Sequence, residues 1–124
     1  METPHKHRPG LSHAWYATSI ALQGLCAAWR HEDAFRQEVL VAAVAIPVAL
    51  LTSASTIGKA MMIASIFLVL IVELLNSALE ATVDHTSLER HPLAKRAKDI
   101  ASAAVLLSIM NVLVVWGLVL YARG

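Results

Sequence analysis

Four polar residues stand where a membrane helix should carry none. Glu73, Asn76, Glu80 and Asp84 close an apolar run that begins at Ile57. On a helix, Asn76, Glu80 and Asp84 fall about 60°, 20° and 20° from Glu73, so all four share one stripe roughly 16 Å long. A carboxylate near hydrocarbon is costly, and an intramembrane acid is therefore read first as functional. The bland alternative is a polar stripe that joins helices through hydrogen bonds. That alternative suits one acid; three acids and an amide on one face favour chemistry. A carboxylate held out of water binds a proton more tightly, which suits the deepest acid, Glu73, to take a proton from an alcohol. Asn76, one turn on, can orient that carboxylate or the hydroxyl.

Two further clusters supply what such a site needs. Between Trp29 and Glu38, six of ten residues carry charge or can gain it, directly before an apolar segment. Glu32 can simply pair with Arg36 four residues on. Alternatively it joins Glu80 as an oxygen ligand, because Mg2+ bound with a nucleotide takes one or two carboxylates and leaves other positions to phosphate and water. His91, Arg96 and Lys98 can meet phosphate oxygens, while Asp99 suits a helix N-terminus on dipole grounds alone. These parts point to phosphoryl transfer from a soluble nucleotide to a membrane alcohol, driven by positioning and charge neutralisation. The sequence has no GxxxxGK[ST] loop and no HRD or DFG set, so the common nucleotide-binding machinery is absent. Physical reasoning reaches a cation- and phosphate-handling interfacial site.

The elements that must position these residues are helices. The 124 residues form one domain by length. They are 57% hydrophobic and 15% charged, against about 25% charged in a soluble domain. The expected class is therefore all-α and integral to the membrane. A net charge of +1 leaves no global field to recruit nucleic acid. The single Cys26 excludes an internal disulfide and a Cys-based metal site. No charged segment followed by an apolar run and cleavage site opens the chain, so no signal peptide is expected.

Residues 1–10, rich in Pro and charge, read as a flexible tail, and residues 11–124 as one membrane domain. Ser12 is a plausible N-cap for a helix over about 12–30. Trp15, Leu22, Leu25, Cys26 and Trp29 make its apolar stripe, too weak to span a bilayer and suited to lying in the interface. Membrane spans are expected near 34–52, 57–81 and 97–121, with Pro47 kinking or loosening the first. Thr52–Thr56 should form a short turn, and His85–Ala94 a loop. Trp116 and Tyr121 fit an aromatic belt at the far side. Small residues at Ala101, Ser102, Ala103, Ala104 and Ser108 permit close helix approach. Eight Lys and Arg lie on the N-terminal side and two on the other, which places the N-terminus in the cytoplasm and the C-terminus opposite.

Three blocks resemble one family. They are Ala-Trp-Arg-His-Glu-Asp-Ala-Phe-Arg-Gln-Glu at 28–38, Val-Glu-Leu-Leu-Asn-Ser-Ala-Leu-Glu-Ala-Thr-Val-Asp at 72–84, and Lys-Arg-Ala-Lys-Asp-Ile-Ala-Ser-Ala-Ala-Val at 95–105. They look like the prokaryotic diacylglycerol kinase family from about Leu11 to the C-terminus. The E-x-x-N-x-x-x-E-x-x-x-D block within a span is the specific signature. The resemblance implies a homotrimeric inner-membrane kinase with three spans and an amphipathic surface helix per chain. It further implies magnesium ATP as phosphoryl donor, a lipid alcohol as acceptor, and composite sites built from adjacent protomers. By the same resemblance Glu73 is the catalytic base and Asn76 its companion, while Glu32 and Glu80 coordinate metal and ATP. Glu89, Arg90, His91, Lys98 and Asp99 match ATP-contacting positions, and Ser102 and Trp116 the lipid-contacting region. Two departures stand out. His13 replaces an arginine that contacts ATP and lipid, and Ile20 replaces a nucleotide-side tyrosine, with Tyr16 one turn earlier. A branch of the family phosphorylates undecaprenol, but the wording of the first block is closer to the diacylglycerol branch. A reading from another class is a non-catalytic membrane assembly or ion-conducting protein with Glu73 and Glu80 as a relay. Clustering of acids and bases at one interface, without a polar path through the spans, argues against it.

Overall fold

In a computed structural model, residues 10–86 and 92–123 are described. They form four helices: α1 (Gly10–His31), α2 (Asp33–Leu51), α3 (Thr56–Thr86) and α4 (Pro92–Arg123). The all-α expectation holds. α2, α3 and α4 are each long and apolar enough to cross a membrane, and the chain is a multi-pass membrane protein. Leu40, Val44, Leu68, Ile71, Leu113 and Leu118 are all exposed along these helices, as side chains facing lipid or a neighbouring subunit must be.

The chain divides into two units, the first ending at Asp33 and the second beginning at Ala34. The first is α1. Its helix starts at Gly10, whose φ of 48° lies in the left-handed region that glycine enters without steric cost. Ser12 therefore lies inside the first turn and does not cap it. Trp15, Leu22, Leu25 and Trp29 are exposed on α1, as is Cys26. The tail expected before it, apart from Gly10, lies outside the described residues.

In the second unit, α2 runs through Pro47 without a break. Thr52–Ser55 then turn the chain. The Thr52 N–H bonds back to the Val48 and Ala49 carbonyls at 3.2 and 3.3 Å. Ser55 caps α3 by accepting the Gly58 N–H at 3.0 Å, which satisfies one of the donors a helix start leaves unpaired. Ala49 of α2, Ala54 of the turn and Met62 of α3 form a small buried core, covered by Ile63, Val115, Trp116 and Val119. Gly58 sits within it. A Cβ there would lie 2.9 Å from Val119 Cγ1, so the two helices approach more closely than any other residue allows.

α3 and α4 pack as an antiparallel pair. Trp116 reaches Met62 and Ser65 near one end, and Lys98 reaches Asp84 at the other. Both helices extend further than the hydropathy predicted. α3 continues to Thr86 and α4 begins at Pro92, so the expected loop over 85–94 is helical at both margins. Proline at a first helical position loses no hydrogen bond and has its φ already set. Apolar content tells where a helix leaves the membrane and not where it ends.

Candidate functional site

α3 carries the whole polar stripe on one uninterrupted helix. Burial falls along it by steps. Glu73 is only 4% exposed, Asn76 and Glu80 are half-buried, and the Asp84 side chain is 64% exposed. The stripe thus runs from a desolvated carboxylate to a solvated one, a gradient from proton chemistry toward ion and phosphate chemistry.

The other buried polar side chains in this unit are satisfied by their own helices. Ser65 Oγ donates to the Met62 carbonyl at 2.6 Å and Ser108 Oγ to the Val105 carbonyl at 2.7 Å. Such back-bonding makes a serine neutral in an apolar interior. Glu73 differs, because its neighbour is another acid. The carboxyl of Glu38, on α2, lies near enough to couple electrostatically to it. Glu38 is the neighbour of Glu73 that sequence reasoning missed. It falls within the first span, and the rule that singles out Glu73 applies to it equally. Along the chain it reads only as one of the charges before that span.

Two acceptor atoms beside this pair, Glu38 Oε2 and Asn76 Oδ1, are buried without a hydrogen-bond partner. Buried acceptors are normally paired. Glu38 also lines a cleft of about 260 Å³ between the three long helices, walled by aliphatic side chains that include Val41, Ile66, Val69 and Ile109.

At the polar end, Lys98 donates to Asp84 at 2.9 Å and joins α4 to α3. Lys95 pairs with Asp99 at 2.7 Å across one turn of α4. Ser102, one turn beyond Lys98, is exposed. Glu89, Arg90 and His91 lie outside the described residues. Trp116 does not face outward as a belt residue would. It is half-buried, and its indole N–H donates to the Met62 carbonyl and to Ser65 Oγ, 3.2 Å each. The aromatic-belt rule gives depth, and cannot tell a face turned inward from one turned out. Tyr121 is 84% exposed.

Glu32 lies between α1 and α2, half-buried, its N–H bonded to the Ala28 carbonyl at 2.9 Å. Among the described residues no group of three or more His, Cys, Asp or Glu converges on one point. A nucleotide-bound Mg2+ needs only one or two protein carboxylates. Glu32 and Glu80 have the oxygen donors this hard cation takes. On α1, His13, Tyr16 and Ile20 share one face, so Tyr16 stands one turn from both departures.

The family model described as prokaryotic diacylglycerol kinase matches residues 19–120. The diacylglycerol kinase of Pseudomonas aeruginosa is 52% identical, over 95% of this chain and 96% of its own. That of Haemophilus influenzae is 43% identical, over 90% and 95%. That of Escherichia coli K12 is 42% identical, over 86% and 88%.

Proposed function

The chain belongs to the prokaryotic diacylglycerol kinase family, a family of membrane lipid kinases that use ATP, and from that premise we propose that it moves the terminal phosphoryl group of ATP onto diacylglycerol, with Glu73 as the base. The observation that carries the assignment is the burial of Glu73 at 4% exposure, on the same helix face as the more solvated Glu80 and Asp84. In the transfer the lipid hydroxyl oxygen bonds to phosphorus as the bond to the bridging ADP oxygen breaks. The hydroxyl proton goes to the Glu73 carboxylate. Asn76, one turn away, orients that carboxylate or the incoming hydroxyl.

Glu32 and Glu80 are the carboxylates that would hold Mg2+. That cation neutralises charge on the phosphates when bound. Lys98 and Asp99, together with Glu89, Arg90 and His91, serve the nucleotide. Lys98 does so while retaining Asp84 as a partner, since an ammonium has three donors. By the family resemblance His13 is assigned to both substrates, and Tyr16 is the tyrosine on the same face of α1. Ser102 and Trp116 meet the lipid. Because the Trp116 N–H is committed to α3, its contact with lipid is through the ring.

Three thin spans leave much of α4 exposed, including Ser102, Ala103 and Ala104. A homotrimer with sites shared between protomers covers such a face. The excess of Lys and Arg near one side sets that side, the N-terminus and the site in the cytoplasm of a bacterial inner membrane. Diacylglycerol is favoured over undecaprenol because the relatives at 42–52% identity carry diacylglycerol kinase as their activity. An ion relay is disfavoured, because the buried Ser65 and Ser108 are bonded to their own backbones.

The deciding experiment is phosphoryl transfer in mixed micelles with magnesium ATP, offering diacylglycerol and undecaprenol separately. Faster transfer to diacylglycerol is expected. Preference for undecaprenol would move the chain to the other branch, and transfer to neither by a folded protein would return the non-catalytic reading.

A further inference from the structure

Lys95, Lys98 and Asp99 make one patch at the head of α4. Around the helix, Lys98 falls about 60° to one side of Lys95 and Asp99 about 40° to the other. A ligand that touches both Lys98 and Asp99 therefore lies over the strip of helix surface that Lys95 occupies, one turn nearer the N-terminus. The Lys95 ammonium donates to Asp99 Oδ2 at 2.7 Å, with the two side chains 76% and 63% exposed. So open a pair adds little to stability, yet it sets where the two charges stand. On one side of the patch, Lys98 joins α3 through Asp84. On the other, Lys95 and Asp99 border a cleft of about 350 Å³ that Arg96 and Ile100 also line. Asp99 by itself is an odd neighbour for a nucleotide, because a bare carboxylate repels phosphate. Paired with Lys95, its charge is offset.

We propose that Lys95 is a further nucleotide-binding residue of this kinase: its ammonium, tethered by Asp99, contacts a phosphate of ATP. The inference rests on the reading above that Lys98 and Asp99 serve the nucleotide. An ammonium carries three donors, and one is used on Asp99, so two stay available to phosphate oxygens. The tether holds the end of a flexible four-carbon stem beside Asp99 before the nucleotide arrives, which lowers the ordering cost of binding. Lysine meets phosphate as a point charge and not as a planar fork. Such a contact is made alike with bound ATP and with the transition state. Its effect therefore falls on KM for ATP and leaves kcat in place.

The test is steady-state kinetics of Lys95→Met, Lys95→Arg and Lys98→Ala in mixed micelles, with equilibrium binding of magnesium ATP measured on the same samples. Lys95→Met keeps most of the stem and removes the charge. It should raise KM for ATP by about three- to tenfold, the scale of one solvated charge contact, and weaken ATP binding by the same factor. Its kcat and its KM for diacylglycerol should stay within about twofold of the parent. Lys95→Arg keeps the charge and the reach to Asp99, and should return KM for ATP to within about twofold. A Lys95→Met enzyme with parental KM for ATP overturns the proposal, and so does one whose KM for lipid rises as much as that for ATP. An anionic phospholipid also carries phosphate, so the assay is run with and without phosphatidylglycerol in the micelles. A defect confined to the phosphatidylglycerol micelles assigns Lys95 to a lipid headgroup and overturns the nucleotide contact. Lys98→Ala separates the two claims. If it raises KM for ATP while Lys95→Met does not, Lys95 alone is misassigned; if neither moves KM, the nucleotide side itself lies elsewhere and Lys95 falls with it.

Discussion

Trp116 of α4 donates its indole N–H to the Met62 carbonyl and to the Ser65 hydroxyl of α3, each at 3.2 Å. The bond ties the hairpin together two to three turns away from Glu73 on α3. It fixes the register of α4 against α3, and hence which α4 residues stand near the polar stripe. Trp116→Phe keeps the ring and removes the donor. It should destabilise the protein by about 1–2 kcal/mol, the cost of a bond whose acceptor is left buried. KM for ATP should not move, since the nucleotide side lies at the other end of the hairpin. Unfolding by SDS titration, with ATP kinetics measured on the same sample, checks both halves. An unchanged unfolding midpoint would show the bond to be of no consequence for stability.

Lys98 and Asp84 close the opposite end, and their pairing predicts an asymmetry. The Lys98 and Asp84 side chains are 39% and 64% exposed, and such pairs contribute only about 0–1 kcal/mol. Asp84→Asn should therefore leave the unfolding midpoint nearly unchanged and KM for ATP within about threefold, a small-effect expectation for a solvated pair. Lys98→Ala removes a charge-assisted bond to phosphate, worth about 1.5–3 kcal/mol, and should raise KM for ATP by about 10- to 100-fold. Equal effects of the two variants would mean that Lys98 acts through Asp84 and not on the nucleotide.

Much of this arrangement was legible before any coordinates. The three spans follow from hydropathy, and the Glu73–Asp84 stripe from helical spacing within one of them. Both are local properties of the chain. What escaped depends on a second helix. Glu38 reads as one charge among six until the helices are assembled, and only then does it line a cleft with side chains of α3 and α4. Trp116 reads as a belt residue until the same packing turns its N–H toward Met62. The helix ends at Thr86 and Pro92 were missed for another reason, since helical hydrogen bonding continues past the point where apolar content stops. His13 and Ile20 remain legible as departures from the family pattern, and their common face with Tyr16 on α1 needed the helix to be seen.

Glu80 tests the metal assignment. It is half-buried on α3 one turn beyond Asn76, between the desolvated and solvated ends of the stripe. Glu80→Gln removes a charged oxygen donor without changing length. The Mg2+ concentration for half-maximal rate should rise by more than about tenfold, because even supporting residues of a metal site matter on that scale. Binding of metal-free ATP should change little. Magnesium titration of activity and of ATP binding separates these outcomes, and an unaltered magnesium requirement would remove Glu80 from the ligand set.

Asn76 brings stability and activity into opposition. Its Oδ1 is buried without a partner, and an unmet acceptor of this kind costs about 1–3 kcal/mol in the free protein. A helix interior also favours alanine over asparagine. Asn76→Ala should therefore leave the free protein as stable as the parent or slightly more so. The same change removes the group that orients the Glu73 carboxylate or the lipid hydroxyl, and kcat/KM for diacylglycerol should fall by about tenfold or more, the worth of one oriented hydrogen bond. SDS unfolding and lipid kinetics on Asn76→Ala measure the two sides at once. Loss of stability together with loss of activity would mean that Asn76 serves the packing of α3, and that the hydroxyl is oriented by another group.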